Sequence, residues 1–321
     1  MNPYDNNKAI NSNQSGPHIS VVIPVFNESE SIRQVVEELQ HLLSKCHWHY
    51  EIIIVDDGSD DGTLEIIQNM QQQYHPLIHL VSLGLRSGKA SAQQAGIHKT
   101  TGTFTVFMDG DGQDDPEEIP CLIDIMENES PGMIVGRRVN RESDRYYITA
   151  SAFFNLIISM ITGICIRDIN ASMKVTRTEL LKKISIYSGN YRFLPLLLHF
   201  RGIKVIEKDV THRKRLAGYS KYSPSKIVDG FWDMITVIFL IRNHNNPLHF
   251  FGGLSLCLGI PGLIICFYIT LIRLSYGNIQ NHYPLLLLGI LLILSATQLF
   301  CAGLLAELMV HLKYDKRDKQ P

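Results

Sequence analysis

The chain has 321 residues, 30 basic and 31 acidic side chains, and a formal net charge of -1. This length allows one large domain with an appendage or two modest domains. The balanced charge argues against a general nucleic-acid-binding protein, because such proteins are normally basic. Six cysteines are scattered without a CxxC pair or a His/Cys cluster, which argues against a disulfide framework and a zinc site.

The N-terminal part of the chain alternates between strand-like and helix-like patterns. Residues 1–17 are polar and predict a disordered leader. Ile19–Val25 and Ile52–Val55 are apolar, β-branched runs of strand length. The residues between them carry apolar side chains at helical spacing, and Asn27 with Glu30 predicts a capping box for that helix. A second helix is predicted to begin near Gly62-Thr63.

The alternation continues to residue 136. Phe104–Met108 is a third apolar run, and Pro116 after Asp115 predicts a helix start with an acidic N-cap. Met133–Val135 is a further short strand. This order predicts an α/β domain, at residues 18–230, with a mostly parallel sheet and helices on both faces.

The C-terminal part is predicted to meet a membrane. Phe250–Ile272 and Pro284–Ala306 are each 23 residues without a charge, long enough to cross the hydrocarbon core as a helical hairpin within residues 247–311. The basic residues in the tail 312–321 predict a cytoplasmic tail and, with two spans, a cytoplasmic N-terminal domain. Buried core helices are the alternative interpretation.

Two further apolar stretches are predicted not to cross the membrane. Tyr146–Ile166 is uncharged but less apolar, and residues 231–246 contain Asp233. A third span would separate the acidic motifs from a later basic segment that we expect at the same site. We therefore expect each stretch to lie on the membrane surface or to pack under the domain, with 231–246 as an interfacial helix and linker.

Acidic side chains follow three of the predicted strands. Pro24–Glu28 ends the first strand, Val55–Thr63 ends the second, and Asp109–Gln113 follows the third apolar run. In an open α/β sheet, ligands bind beyond the carboxyl ends of the strands. Clustered carboxylates need a compensating cation, and their oxygens suit Mg²⁺ or Mn²⁺ completed by substrate phosphates. Ordinary turns are the alternative for any one of these segments.

These segments resemble the family 2 glycosyltransferases of GT-A fold. The closer resemblance is to their polyprenyl-phosphate sugar synthase branch, which includes dolichol-phosphate mannose synthase and bactoprenol glucosyltransferases. Pro24–Glu28 matches P-x-[YF]-N-E, Val55–Thr63 matches V-D-D-G-S-x-D-G-T, and Asp109 with Asp111 matches the D-x-D motif. The resemblance covers nearly the whole chain.

The resemblance implies a set of site residues. Asp109, Asp111 and Gln113 are expected to hold Mg²⁺ or Mn²⁺ on the donor diphosphate. The residues expected to bind the donor nucleotide are Pro24, Phe26, Glu28, Val55, Asp57 and Gly110. The glycine-rich stretch Gly84–Gly96 resembles the family's loop leading into a helix, and its Gly88 and Lys89 favour anions at a helix start. It is not a P-loop, because Ala90 follows Lys89.

Basic segments supply the remaining expected contacts. His212–Tyr222 resembles the family's H-R-x-R-x-x-G-x-S-K-Y segment, which implies that Arg215 and Lys221 grip the donor diphosphate. Gly136 is followed by basic residues expected to capture the acceptor phosphate, with a solvated loop or an anionic-lipid fringe as the alternative: Arg137, Arg138 and Arg145. Asp168–Lys174 resembles a turn in which Ser172 stands where glycine is usual; Asp168 would orient the acceptor or an arginine, or act as a cap.

The expected function is metal-dependent, inverting transfer of a hexose or modified sugar from a UDP- or GDP-sugar to a polyprenyl phosphate. The expected catalytic residues are Asp109, Asp111, Arg137 and Arg215. The expected enzyme is a multi-pass protein of the inner (cytoplasmic) membrane in cell-envelope glycan biosynthesis, and is a possible homo-oligomer. A same-fold transferase with a hydroxyl acceptor and a non-catalytic membrane scaffold are the alternatives. The sugar, the base of the donor nucleotide and the choice of undecaprenyl or dolichyl acceptor stay open.

Overall fold

A computed structural model of the chain describes residues 18–46, 48–139, 158–159, 163–164, 166–216, 225–243, 246–279 and 282–318. The predicted leader, Arg145 and Lys221 lie outside these residues, as does most of the 146–166 stretch. The chain divides into two compact units, at residues 1–234 and 235–321.

The first unit is built on one seven-stranded sheet. Its strands lie in the order β3-β2-β1-β4-β6-β5-β7, and β6 alone runs antiparallel to its neighbours. The strands are β1 (His18–Val25), β2 (His49–Asp56), β3 (Ile78–Ser82), β4 (Phe104–Phe107), β5 (Met133–Val139), β6 (Lys174–Arg177) and β7 (Val205–Thr211). The prediction of a mostly parallel α/β sheet is confirmed.

Helices connect the strands of this sheet. The helices are α1 (Ile32–Lys45), α2 (Thr63–Gln73), α3 (Lys89–Lys99), α4 (Ile119–Asn128), α5 (Thr178–Leu181) and α6 (Leu194–His199). One hydrophobic cluster packs α1, α2 and α4 against one part of the sheet, and a second includes residues of α3 and α6. The central strands are apolar on both sides because both clusters cover them, as expected for parallel strands.

Local predictions near the helix starts had different outcomes. Helix α2 begins at Thr63 as predicted, and the Asp115 carboxylate caps the turn at Pro116 by accepting from Glu117 N at 3.0 Å. The predicted Asn27–Glu30 capping box is wrong, because the N-cap of α1 is Ser31. The Asn27 side chain instead bonds to Asp60 across the sheet edge, at 2.6 Å. A long-range hydrogen bond to Asp60 therefore replaces the local capping interaction that the sequence pattern predicted for Asn27.

The second unit contains two long apolar helices. Helix α7 (Ser225–Arg242) runs across the boundary between the units, and it is followed by α8 (Pro247–Tyr276) and α9 (Tyr283–Asp318). Segments Pro247–Tyr276 and Tyr283–Leu312 have mean hydropathies of 2.2 and 2.4 and are long enough to cross a membrane. Only 17% and 11% of these apolar windows are buried, which is unlike the core helix of a soluble protein.

Helices α8 and α9 pack against each other closely. A Cβ on Gly262 would lie 3.0 Å from the Gly289 carbonyl oxygen, so a larger residue would separate the helices. The Ser255 hydroxyl donates to the Ala296 carbonyl oxygen at 2.8 Å. Inside a membrane, helices gain little from the hydrophobic effect when they associate. Small residues at the interface and hydrogen bonds from hydroxyl groups are what typically hold such helices together.

Candidate active site

The site lies where the neighbouring strands β2, β1 and β4 end. These strands run parallel, so the loops that follow Val25, Asp56 and Phe107 emerge at the same edge of the sheet. The three acidic motifs found in the sequence therefore come together as predicted. The loops are also joined directly, because the Ser31 hydroxyl donates to the Gly110 carbonyl oxygen at 2.8 Å.

Gly110 permits the close approach of the D-x-D loop to β1. A Cβ at this position would lie 2.6 Å from Val25 Cγ1. Real Cβ contacts are not that short, so a larger residue would push the loop away from the sheet edge. The glycine between the two aspartates thus has a steric reason, and it fixes where Asp109 and Asp111 sit.

The predicted nucleotide-binding residues at the ends of β1 and β2 differ in burial and in their partners. Phe26 is partly buried, and the Arg86 guanidinium lies 4.3 Å from its ring centroid. The Asp57 carboxylate accepts from Ser87 N at 2.7 Å and from Gly88 N at 2.9 Å, which ties the glycine-rich loop to the end of β2. The side chain of Val55 is fully buried in the core, so any contact of Val55 with the donor would come from its backbone.

Both aspartates of the D-x-D motif hold a basic side chain. Lys89 Nζ lies 2.5 Å from Asp109 Oδ1, and Arg215 Nη2 lies 2.8 Å from Asp111 Oδ2. Arg215 also lies 3.9 Å from Glu28. Burial and the neighbouring Asp109 charge raise the pKa of Asp111 above its usual value. The two carboxylates are therefore close enough to repel each other.

This pair of carboxylates fits a divalent cation that is completed by substrate. No three His, Cys, Asp or Glu side chains form a metal cluster within the described part of the chain. Mg²⁺ is commonly held by one or two carboxylates plus substrate phosphates, and that requirement is met by Asp109 and Asp111. Gln113 belongs to the same turn, since its backbone N–H donates to Asp111 Oδ1 at 3.1 Å.

The segment after β7 meets the acidic loop. Arg213 N donates to the Gln113 carbonyl oxygen at 2.8 Å, and Leu216 N donates to the Asp111 carbonyl oxygen at 3.2 Å. These backbone bonds carry Arg215 to Asp111. The expectation that the basic segment and the D-x-D motif share one site is confirmed for the residues up to 216.

Asp114 holds the backbone of the acidic loop, and no motif in the sequence points to this residue. Its Oδ2 accepts from Asp109 N at 2.9 Å, and its Oδ1 accepts from the Ser172 hydroxyl at 2.6 Å. Burial and the Asp109 charge raise the pKa of Asp114 to about 7. Ser172, which departs from the family's glycine, thus gives the loop a hydrogen bond that glycine has no atom to make.

Arg138 and Asp168 form a buried ion pair beside the site. Arg138 Nε and Nη2 donate to the two carboxylate oxygens of Asp168 at 2.7 and 2.8 Å. Of the roles considered for Asp168, the structure supports the orientation of an arginine. Lys174 lies nearby in the core, where burial and the Lys89 charge lower its pKa to about 7. No pattern in the sequence indicates that this lysine is buried.

Arg137 has a different environment from Arg138. It pairs with Asp209, its register neighbour on β7, at 2.5 Å, and the two side chains are 26% and 49% exposed. A polar surface hollow of about 410 Å³ adjoins this pair, with Arg167 and Lys208 among its lining residues. Arg137 and Arg138, which were expected to bind one phosphate together, therefore pair with different carboxylates. Arg138 pairs with the buried Asp168, and Arg137 pairs with the exposed Asp209.

The fold and site together define a class of enzyme. The sheet is open and mostly parallel, and two carboxylates paired with basic side chains lie at its carboxyl edge, where ligands bind in open α/β folds. Residues 20–186 match the model of glycosyl transferase family 2. The chain belongs to this family and is a glycosyltransferase.

Curated relatives match over almost the whole chain. The dodecaprenyl-phosphate galacturonate synthase of Rhizobium johnstonii is 32% identical over 308 residues, covering 94% of this chain and 90% of that protein. The undecaprenyl-phosphate 4-deoxy-4-formamido-L-arabinose transferase of Photorhabdus laumondii is 29% identical over 300 residues, covering 93% and 90%.

Solved structures share the fold. Glucosyl-3-phosphoglycerate synthase from Mycobacterium tuberculosis, in complex with Mn²⁺, UDP-glucose and phosphoglyceric acid, matches with a TM-score of 0.54 and 19% identity. The match covers 71% of this chain and 80% of that one. At this identity the likeness establishes the GT-A-like fold alone.

Proposed function

We propose that this glycosyltransferase moves a sugar from a nucleotide-sugar donor to the phosphate of a polyprenyl phosphate, with inversion at the anomeric carbon. The observation that carries the proposal is the contact of Arg215 with Asp111, which joins the basic segment to the acidic motif. The names of two curated relatives, both of which contain a polyprenyl phosphate, support the acceptor.

The donor diphosphate would bind over the D-x-D loop. Asp109, Asp111 and Gln113 would hold Mg²⁺ or Mn²⁺, and the ion when bound would offset charge on the leaving nucleoside diphosphate. Arg215, and Lys221 by family resemblance, would contact the same diphosphate. Such fixed cations stabilise charge where it develops during transfer.

The nucleoside would lie against the ends of β1 and β2. Phe26 offers an aromatic face, and Glu28 and Asp57 offer carboxylates for ribose or base. Asp57 already accepts two backbone N–H groups from the glycine-rich loop. Its role toward the donor would therefore include holding the glycine-rich loop at the end of β2.

The acceptor phosphate would need positioning more than activation. A phosphate monoester has a second pKa of about 6 and is largely dianionic at neutral pH, so no strong general base is required. Arg137 is a better candidate to receive it than Arg138, because the Arg137–Asp209 pair is more exposed. Arg145 stays a further candidate from the sequence.

Membrane anchoring would bring the lipid acceptor to the enzyme. Helices α8 and α9 would form a transmembrane hairpin, with their exposed apolar side chains toward lipid. The basic C-terminal tail would then lie in the cytoplasm, together with the transferase domain. This is the expected arrangement for an inner-membrane enzyme that uses cytoplasmic nucleotide sugars.

The test is a direct transfer assay. The purified, detergent-solubilised full chain is incubated with Mg²⁺ or Mn²⁺, undecaprenyl phosphate and a panel of UDP- and GDP-sugars. The panel includes donors of glucose, mannose, galacturonate and 4-deoxy-4-formamido-arabinose, and lipid products are followed by mass spectrometry. We expect a polyprenyl-phosphate sugar from one donor, and none from the Asp111→Ala variant.

A transferase with a hydroxyl acceptor is the main competitor. Processive synthases of this fold typically carry a Q-x-x-R-W motif, and the chain has none. If a donor binds with metal but no lipid-linked product forms, the donor site stands, the acceptor is a hydroxyl, and Arg137 loses its assigned role. If no donor in the panel binds in the presence of metal, the proposed donor site and the transfer from these donors are wrong.

A further inference from the structure

Lys89 occupies a defined position at the D-x-D loop. It is the first residue of α3, and the backbone just before it is tied to the Asp57 carboxylate through Ser87 N and Gly88 N. Its ammonium reaches Asp109 Oδ1 at 2.5 Å. The ring centroid of Tyr191 lies 5.8 Å from the same ammonium. The backbone anchor and the two side chains together fix a cation at one of the expected metal ligands.

A divalent metal ion held by Asp109 would compete with this cation for the same carboxylate. Asp109 Oδ1 is within direct ion-pair distance of Lys89, and a metal ion bound there would meet an ammonium held close by. Like charges at a few ångströms repel strongly wherever water screens them poorly. Metal binding to Asp109 therefore requires the ammonium to move away or to receive a new counter-charge.

The Lys89–Asp109 pair is partly exposed to solvent. The two side chains are 32% and 31% exposed, so an incoming ligand can reach them. The Arg215–Asp111 pair on the other aspartate is more enclosed, at 21% and 10%. A nucleoside diphosphate brings negative charge to the loop together with the metal. It thus offers the displaced ammonium the counter-charge that the metal removes.

We propose that Lys89 is a positioning residue that neutralises Asp109 and passes its ammonium to the donor diphosphate when metal and nucleotide enter. The consequence is coupling: metal binds weakly alone and tightly with the nucleotide, and the reciprocal holds. This inference rests on the donor site of the proposed function but not on the identity of the acceptor. The competing explanation is a purely structural ion pair at the start of α3.

The experiment measures metal binding without catalysis. Mn²⁺ is titrated into the full-length protein in detergent and followed by electron paramagnetic resonance, with no nucleotide, with UDP and with GDP. For the wild type we expect the nucleotide that binds to tighten Mn²⁺ binding about tenfold or more. For Lys89→Met we expect tighter Mn²⁺ binding in the absence of nucleotide, and a much smaller effect of the nucleotide.

Two further variants separate coupling from structure. Lys89→Arg keeps the charge and should retain the weak binding of Mn²⁺ alone. Lys99→Met removes an exposed lysine from the other end of α3 and should behave as the wild type. Thermal unfolding of each variant identifies any loss of fold. A lower melting temperature for Lys89→Met, with wild-type coupling between Mn²⁺ and nucleotide, would establish the structural explanation and overturn the inference.

The transfer assay keeps this inference apart from the proposed function. A wild-type protein that makes a lipid-linked sugar, with unchanged Mn²⁺ binding in Lys89→Met, overturns the role of Lys89 alone. If the wild type makes no lipid product but its Mn²⁺ and nucleotide binding are coupled through Lys89, the role of Lys89 is supported and the polyprenyl phosphate acceptor is rejected. Each result therefore addresses one of the two proposals.

Discussion

Two neighbouring ion pairs of the sheet differ in their exposure to solvent. Arg138 and Asp168 are 11% and 10% exposed, whereas the adjacent pair Arg137 and Asp209 is 26% and 49% exposed. Removing one partner of a buried pair leaves an uncompensated charge in the protein, but an exposed pair contributes little to stability. Neighbouring arginines on one strand are therefore suited to different tasks.

Arg138 is therefore suited to a structural task, and Arg137 to the proposed binding of a phosphate. Arg138 holds the turn that contains Asp168 and belongs to the charge cluster around Asp109. Arg137 could be released from Asp209 at little loss of stability, which the proposed acceptor phosphate would require. The D-x-D loop itself combines both properties, since its two carboxylates are held by cations but stay partly accessible.

The largest expected effect is on catalysis, at Asp111. Asp111→Ala should lower turnover by about 10³-fold or more, because it removes a metal ligand and the partner of Arg215. The domain should stay folded, as monitored by circular dichroism. Asp124→Ala, an exposed aspartate of α4, is the matched control and should keep full activity. Near wild-type turnover in Asp111→Ala would end the metal assignment.

The next effect is on stability, at the buried pair. Arg138→Met should lower the free energy of unfolding by about 3 kcal/mol, because Asp168 is left without its buried counter-charge. Chemical denaturation of the variant measures this loss. The double variant Arg138→Met/Asp168→Leu should recover part of it. A loss no larger than that of Arg137→Gln would contradict the difference drawn between the two pairs.

A smaller effect is expected at Ser172. Ser172→Ala removes the hydroxyl that donates to Asp114, and the lost bond to a buried carboxyl group should lower stability by about 1.5–2 kcal/mol. Since Asp114 holds the backbone of Asp109, kcat should fall as well. Ser44→Ala, which removes an exposed hydroxyl that donates to a backbone carbonyl on α1, is the control. Unchanged stability and kcat would show that Asp114 positions the loop without Ser172.

The smallest effect is expected at the exposed pair. Arg137→Gln should change stability by no more than about 0.5 kcal/mol. The KM for polyprenyl phosphate should rise about tenfold, which corresponds to about 1.4 kcal/mol of lost binding. Steady-state kinetics at varied lipid concentration measures it, with Arg33→Gln, in an exposed i,i+4 pair, as the control. An unchanged KM would exclude Arg137 from the acceptor site.

Much of the fold could be predicted from the sequence because the core strands are strongly patterned. Strands β1, β2 and β4 and helices α1 and α2 are continuous apolar runs or one-sided apolar stripes, and the structure has them within a few residues of their predicted positions. Strands β6 and β7 escaped prediction, because their polar residues hide the strand pattern. Pairing with β5 in the sheet stabilises both.

Only the part of the site that lies directly after the strands could be predicted from strand order. The motifs at the ends of β1, β2 and β4 had to meet, since parallel neighbouring strands present their carboxyl ends together. Strand order does not predict which side chains form ion pairs or hydrogen bonds with those motifs. The family resemblance placed Arg215 at the site, but not its ion pair with Asp111. Lys89 and Ser172 come from two other segments, and no periodicity links them to Asp109 or Asp114.

The sequence by itself determined the fold class, the acidic edge and the two apolar C-terminal helices, because each depends on local composition and strand order. The tertiary structure decided which charges pair and how deeply they are buried. Burial is a property of everything packed around a side chain, so adjacent residues such as Arg137 and Arg138 can differ. That difference in solvent access sets which ion pairs hold the fold and which can exchange for a ligand.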